Sequence, residues 1–164
     1  MPEEETIERA REDEREGKSP STQAGEFVRE EFHHIREGQP GARSPQQAIA
    51  IGLSKARRAD VNLRPPTGGR SSARVRRQAE RDYEKGRRQP GRRPSPRQSR
   101  ATLGALKREG RQAASTGAIS RQTRAAAQRR SSAERSTAAR KAARTKGHSR
   151  LSAAAKKAAR TRWG

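Results

Sequence analysis

Ser44-Pro45-Gln46-Gln47-Ala48-Ile49-Ala50-Ile51-Gly52-Leu53-Ser54-Lys55-Ala56-Arg57 is the longest apolar-leaning run in a chain that is otherwise mostly charge. It begins as a helix should. Ser44 offers a hydroxyl to orphan backbone N–H groups, and Pro45 falls at the first helical position, where a missing N–H costs nothing. Gln47, three residues after Ser44, completes a capping-box pattern. Ile49, Leu53 and Ala56 share one face, with Ala48 and Ile51 beside it. The spacing predicts a helix to about Ala59. Val61 and Leu63 are expected to fold back, and Pro65-Pro66 to end the unit.

Toward the N-terminus, Ala24, Val28, Phe32 and Ile35 recur at i, i+4, i+8 and i+11, which predicts a second helix over 22–37, with Phe27 flanking its apolar stripe. Gly38 suits the position just past a helix end, and Gln39-Pro40-Gly41 forces a turn. Residues 21–64 thus read as a helical hairpin with Val28, Phe32, Ile35, Ile49 and Leu53 as its core. At about 1.5–3 kcal/mol per buried side chain, so short a hairpin barely offsets its ordering entropy. A homodimer or a protein partner through the hairpin is therefore an expectation. His33 and His34 are adjacent on the helix and diverge by about 100°, so the two cannot chelate one metal between them.

The run from Gly25 to Ala59 carries Glu26-Phe27-Val28, Glu31-Phe32-His33, Ile35 and Glu37-Gly38, then the segment Ser-x-x-Gln-Ala-Ile-Ala-Ile-x-Leu-Ser. It resembles a domain of small basic bacterial proteins to which no activity is assigned. The resemblance covers about a fifth of the chain and rests mainly on the second half of the motif. It implies a helical hairpin and a bacterial source, but no chemistry.

Charge divides the chain. Residues 1–40 hold 12 acidic residues against 6 Lys or Arg, a net of −6, whereas residues 41–164 hold 6 acidic and 34 basic, a net of +28. Residues 1–20 read as an acidic disordered arm, because Ile7 is their only large apolar residue after Met1. A second reading makes them an internal polyanion mimic that competes with DNA for the basic part.

Residues 65–98 read as an Arg/Pro/Gly-rich linker with one helix at 72–85 on the thin stripe Val75, Ala79, Tyr83, and Gly86 beyond its end. Pro90-Gly91-Arg92-Arg93-Pro94 looks like the AT-hook of minor-groove binders, but Pro90 stands where that motif has Arg. Ser95-Pro96-Arg97 is similar to the Ser-Pro-basic repeats of histone tails. Either Arg92, Arg93 and Arg97 enter a minor groove, or the segment is a charged linker.

Residues 99–164 read as a basic Ala/Arg/Lys-rich helical tail, with helices at about 100–109, 120–130 and 133–162 punctuated by Gly110, Gly117 and Gly147. Ser136–Lys146 repeats as Ser152–Arg162 at an offset of 16 residues. Each repeat has an alanine face and a cationic face: Arg140, Lys141 and Arg144 form the cationic face of the first, and Lys156, Lys157 and Arg160 that of the second, with Lys146 and Arg162 as further cations near their ends. Arg121, Arg124, Arg129 and Arg130 precede them. Each unit is near or below the ~12–15 residues a lone helix needs in water, so the tail is expected to fold on phosphates that remove cation repulsion. The Ala/Lys/Arg pattern resembles linker-histone-like bacterial tails. Trp163 is expected to stack on a base, to lie in a membrane interface or to stand exposed at the terminus.

The expected fold class is therefore all-α and largely disordered, a small helical hairpin plus isolated basic helices without a common core. Only 27% of the chain is hydrophobic while the net charge is +22, which leaves little apolar area to bury. Without cysteine there is no Cys-based zinc site or thiol nucleophile. No phosphate loop or His/carboxylate set on a scaffold stands out, so no enzyme activity, no cofactor and no small-molecule ligand are expected. No run of ~18 apolar residues suggests a membrane span. The start Met1-Pro2-Glu3-Glu4-Glu5 lacks the apolar core of a secretory signal. The expected location is the cytoplasm, on the nucleoid.

The expected function is sequence-tolerant DNA binding by phosphate neutralisation with helix induction. Nothing resembles a rigid base-reading element. Duplex DNA is favoured over RNA. Association with RNA or the ribosome, and a protein-interaction module with an electrostatic tail, are the alternatives.

Overall fold

A computed structural model describes residues 2–39, 41–67, 71–89 and 95–163. It is all-helical: α1 (Glu4–Arg15), α2 (Pro20–Glu37), α3 (Pro45–Arg58), α4 (Ala73–Arg88), α5 (Pro96–Leu106), a 3-10 turn at Arg111–Ala114, α6 (Thr116–Gln128) and α7 (Ser132–Trp163), with no strand among the described residues. The chain divides into two compact units, Met1–Ser120 and Arg121–Gly164.

In the first unit the helix boundaries follow local chemistry. Ser44 caps α3 by accepting from the Gln47 N–H at 3.2 Å. The Gln47 side-chain Oε1 accepts from the Arg43 N–H rather than from that of Ser44, so the reciprocal bond lands one residue early. α2 ends in a Schellman motif. Gly38 is left-handed at φ 83, its N–H bonds to the Ile35 carbonyl, and the Gln39 N–H bonds to the His34 carbonyl. α3 ends the same way on Asp60 at φ 68, with the Val61 N–H on the Ala56 carbonyl, and this turns Val61 back into the core.

The hairpin core differs from the expected stripe. Ile35 is buried, but Val28, Phe32, Ile49 and Leu53 are only half-buried. The deepest large side chain is Phe27, fully buried with Ala10, Ala24, Ala56 and Val61. A second cluster joins Ile35, Ala42, Ala48 and Ala114. α3 meets α2 through its small face Ala48, Gly52, Ala56, not through its large residues. A Cβ on Gly52 would lie 2.7 Å from the Val28 Cα, so only glycine permits this approach of the two backbones. Ile49 and Leu53 therefore flank the contact.

The acidic segment is not a disordered arm. α1 packs on α2 with Thr6, Ala10 and Asp13 buried, a face at i, i+4 and i+7. Ile7 adds to the cluster around Phe27. Polar contacts complete the union: Glu3 N–H donates to Glu30 Oε1 at 2.7 Å, and Arg9 Nε donates to Glu26 Oε2 at 3.1 Å. Small residues let the helices close in, and paired charges substitute for missing apolar area.

Nor is the region after Pro66 merely linker. Ser72 caps α4, accepting from the Val75 N–H at 3.3 Å, and α4 runs past Gly86 to Arg88. It docks on α3 through Ala79, Asp82 and Gly86, while Val75 is 53% exposed. A Cβ on Gly86 would fall 1.8 Å from the Arg57 carbonyl oxygen. The 3-10 turn at Arg111–Ala114 also belongs to this unit, with Ala113 and Ala114 buried and Arg36 Nε donating to the Ala114 carbonyl. Helices α1 to α4 and this turn therefore form a continuous packed body, where separate elements were expected.

In the second unit Gly147 does not punctuate: α7 is continuous from Ser132 to Trp163 and contains both repeats. One glycine inside a helix costs about 1 kcal/mol, less than nucleating a second helix.

Candidate nucleic-acid interface

α7 opens with a reciprocal capping box. Ser131 N–H donates to Glu134 Oε2 at 2.9 Å, and the Glu134 N–H donates back to Ser131 Oγ at 3.3 Å. Glu134 is its only acidic residue against ten Lys or Arg, a net of +9 over 32 residues. Arg140, Lys141, Arg144 and Lys156 are exposed. Lys146, Lys157, Arg160 and Arg162 are placed by helix register in the same element. In α6 Arg121 and Arg124 are exposed, as are Arg129 and Arg130 just after it. Arg97, in the first turn of α5, is exposed as well. Arg92 and Arg93, and with them the AT-hook-like stretch, lie outside the described residues. Trp163 is the last residue of α7.

The first unit carries a second basic surface that composition did not single out. α4 has seven basic residues against three acidic. Arg64, Arg76 and Arg87 line an open groove of about 780 Å³ together with Tyr83, Glu80 and Glu84. The Arg87 guanidinium carbon stands 5.8 Å from the Tyr83 ring centroid, and the Tyr83 hydroxyl donates to Asn62 Oδ1 at 2.7 Å. Three guanidinium groups lining one groove, one of them over an aromatic ring, suit a phosphate backbone with a base beside it. The missed signal is the Arg-dense register of α4.

What holds α4 in place is a buried carboxylate. Asp82 is 1% exposed, and its Oδ2 accepts from Ser54 Oγ at 2.8 Å and from Gln78 Nε2 at 3.0 Å. Arg58 Nε lies 3.2 Å from Oδ1 as an ion pair without hydrogen-bond alignment. Next to it, Arg57 is buried and gives its guanidinium to the carbonyls of Leu63 and Leu53. Burial lowers its pKa from the usual guanidinium range and the nearby Asp82 charge opposes this, so it stays a cation.

A second charged cluster of this unit is rich in carboxylates. Glu30 and Glu31 are buried against Lys55, whose ammonium pairs with Glu31 and lies 3.8 Å from Glu30 Oε2. His34 Nε2 donates to Glu3 Oε1 at 2.8 Å, and that bond holds the Glu3 carboxyl below its ordinary range. Glu3, Glu30 and His34 each bring one ligand atom within 4.8 Å of the others, the donor set of a divalent cation. Lys55 supplies positive charge beside Glu30 while pairing with Glu31. His33 instead faces Glu37 at 3.2 Å, which separates the two histidines as expected. At the turn after α1, hydrogen bonds to Asp13 and Glu16 push the Lys18 ammonium up.

No protein-family model matches the chain, and neither does any curated protein or solved structure. Among the described residues no helix is long and apolar enough to cross a membrane.

Proposed function

We propose that this protein binds duplex DNA without reading its sequence. The tail neutralises phosphates, and the packed first unit serves as a head for it. The observation that carries this reading is α7, a 32-residue helix with ten cations, one carboxylate and an alanine-rich remainder. Such a helix has no apolar face with which to enter a core or an anionic membrane. Its cations match a polymer with one negative charge per ~1.7 Å. Isolated cationic repeats lose mutual repulsion when phosphates surround them, so DNA completes a helix that water supports weakly. The groove of Arg64, Arg76 and Arg87 beside Tyr83 adds a contact from the head. In this reading the protein is not a catalyst, uses no cofactor and resides on the bacterial nucleoid.

The test is a salt series. With about 8 tail cations on phosphate, log K against log salt should have a slope near −7. A slope shallower than about −2 would count against phosphate neutralisation. Competition with structured RNA at matched salt decides the polymer: RNA displacing duplex DNA at equal concentration would favour the RNA reading.

A further inference from the structure

α7 is continuous through both repeats, and this fixes their relative phase. At about 100° per residue, an offset of 16 residues rotates the second repeat by about 160° from the first. The other cations fall into the same two sectors. Taking Ser132 as zero, Arg140, Lys141, Arg144 and Arg162 occupy register positions from about 80° to 180°. Arg135, Lys146, Arg150, Lys156, Lys157 and Arg160 occupy about 240° to 360°. The intervening sectors hold no Lys or Arg. The helix is a rod with two nearly opposite cationic faces, not a single-sided strip.

The faces are long as well as opposed. At 1.5 Å per residue, Arg140 to Arg162 spans about 33 Å and Arg135 to Arg160 about 38 Å. Each is close to one turn of duplex, about 34–36 Å. A straight rod of this length leaves a major groove, which winds once around its axis over that distance, so it cannot sit between the two walls of one groove along its whole length. One duplex laid along one face leaves the other face and its charge unmatched.

Resting on the DNA-binding reading above, we propose that α7 bridges two DNA duplexes, one on each cationic face. The second occupant is argued from charge. A face of four to six cations beside a bound polyanion attracts a second polyanion, and the rod's diameter of about 10–12 Å keeps the duplexes apart while neutralising both.

Phase is the quantity to test, because it changes without changing charge. Inserting two alanines after Gly147 makes the repeat offset 18 residues and gathers seven cations into one arc of about 80° to 200°, leaving three, Arg135, Lys146 and Arg162, at about 300° to 320°. Inserting four makes the offset 20 residues and the repeats about 200° apart, opposed again. The full-length protein and both variants are first measured by gel shift on a single labelled duplex, then scored for capture of a fluorescent duplex by bead-tethered duplex at equal saturation. The native chain and the four-alanine variant should capture the second duplex, and the two-alanine variant should capture it at least about tenfold less, with single-duplex affinity within about threefold of native. Three results overturn the proposal. The first is capture that does not depend on phase. The second is equal loss in both variants, which marks general damage to the helix. The third is no capture by the native chain combined with weaker single-duplex binding by the two-alanine variant, which marks a helix straddling one groove. If the native chain fails to shift even one duplex, the parent reading itself fails, and the gel shift separates that outcome from the others.

Discussion

Asp82→Ala should release α4 from the head and leave the rest folded. Its side chain is the only carboxylate described on the buried face of α4, with Ala79 and Gly86 as its companions. The loss can be worked from its partners. The bond from half-buried Ser54 to a charged acceptor is worth about 1.5–3 kcal/mol. The bond from Gln78 counts for about 0.5 kcal/mol, since that exposed side chain finds water instead. The Arg58 pair adds no more than about 1 kcal/mol, because Arg58 keeps 34% of its side chain in solvent. The sum is about 3 kcal/mol, and a factor of 10 per 1.4 kcal/mol makes this roughly a hundredfold in the opening equilibrium of α4. Amide hydrogen exchange measures it directly: α4 amides should lose about a hundredfold of protection while α2 amides keep theirs. Gly86→Ala should reproduce this pattern by different means, since its Cβ would sit 1.8 Å from the Arg57 carbonyl oxygen. Asp82→Asn keeps an acceptor for Ser54 and should cost about 1 kcal/mol. Protection of α4 within about threefold of the parent in Asp82→Ala would refute the reasoning, as would an equal fall in α2 and α4.

Two further outcomes follow from the head. Phe27→Ala should cost about 3–5 kcal/mol, and Phe32→Ala clearly less, because Phe27 is fully buried and Phe32 half-buried; denaturant midpoints that rank them the other way would contradict the packing. The carboxyl of Glu3 is held low by its bond from His34, so it favours the fold above the ordinary glutamate pKa and loses that contribution as pH falls through its depressed folded value. His34→Leu should move the Glu3 titration upward in an NMR pH series, and an unmoved titration would remove the bond from the account.

Helix ends were legible where capping chemistry is local, but Gly86, Gly117 and Gly147, expected to end or separate helices, lie inside α4, α6 and α7. Ser44, Pro45 and Ser72 mark starts, and Gly38 marks an end, where side-chain hydroxyls, a fixed proline φ and a left-handed glycine meet backbone needs. Which side of each helix faces inward was not legible, and α2 and α4 fail for the same reason. On α2 the apolar stripe Ala24, Val28, Phe32, Ile35 is rotated by about 50° from the buried set Ala24, Phe27, Glu31, Ile35. On α4 the stripe Val75, Ala79, Tyr83 is displaced likewise from Ala79, Asp82, Gly86. In each case a carboxylate sits on the buried face, and an apolar pattern turns away from it. The partners that make burial tolerable, Lys55 and Arg58, lie on α3 and are distant in sequence.

α3 thus organises the head through its charges as much as through its apolar run. Ser54-Lys55-Ala56-Arg57-Arg58 serves three neighbours: Lys55 reaches the α2 carboxylates, Ser54 and Arg58 hold Asp82 of α4, and Arg57 ties down the 61–63 segment through the Leu63 carbonyl. Low apolar content with high charge leads to disorder when burial cannot offset entropy and charge is only a cost. That holds where charges have one sign. In α1 to α4 acidic and basic residues are close to balance, and they pair across helix contacts that small residues have brought near. Buried pairs add little net stability, but a carboxylate without its cation would be costly, so they select one arrangement of helices over others. In α7 ten cations share one carboxylate, and no internal rearrangement can balance them. In the function proposed for this protein, an external polyanion supplies the opposite charge that the tail lacks and that the head finds within itself.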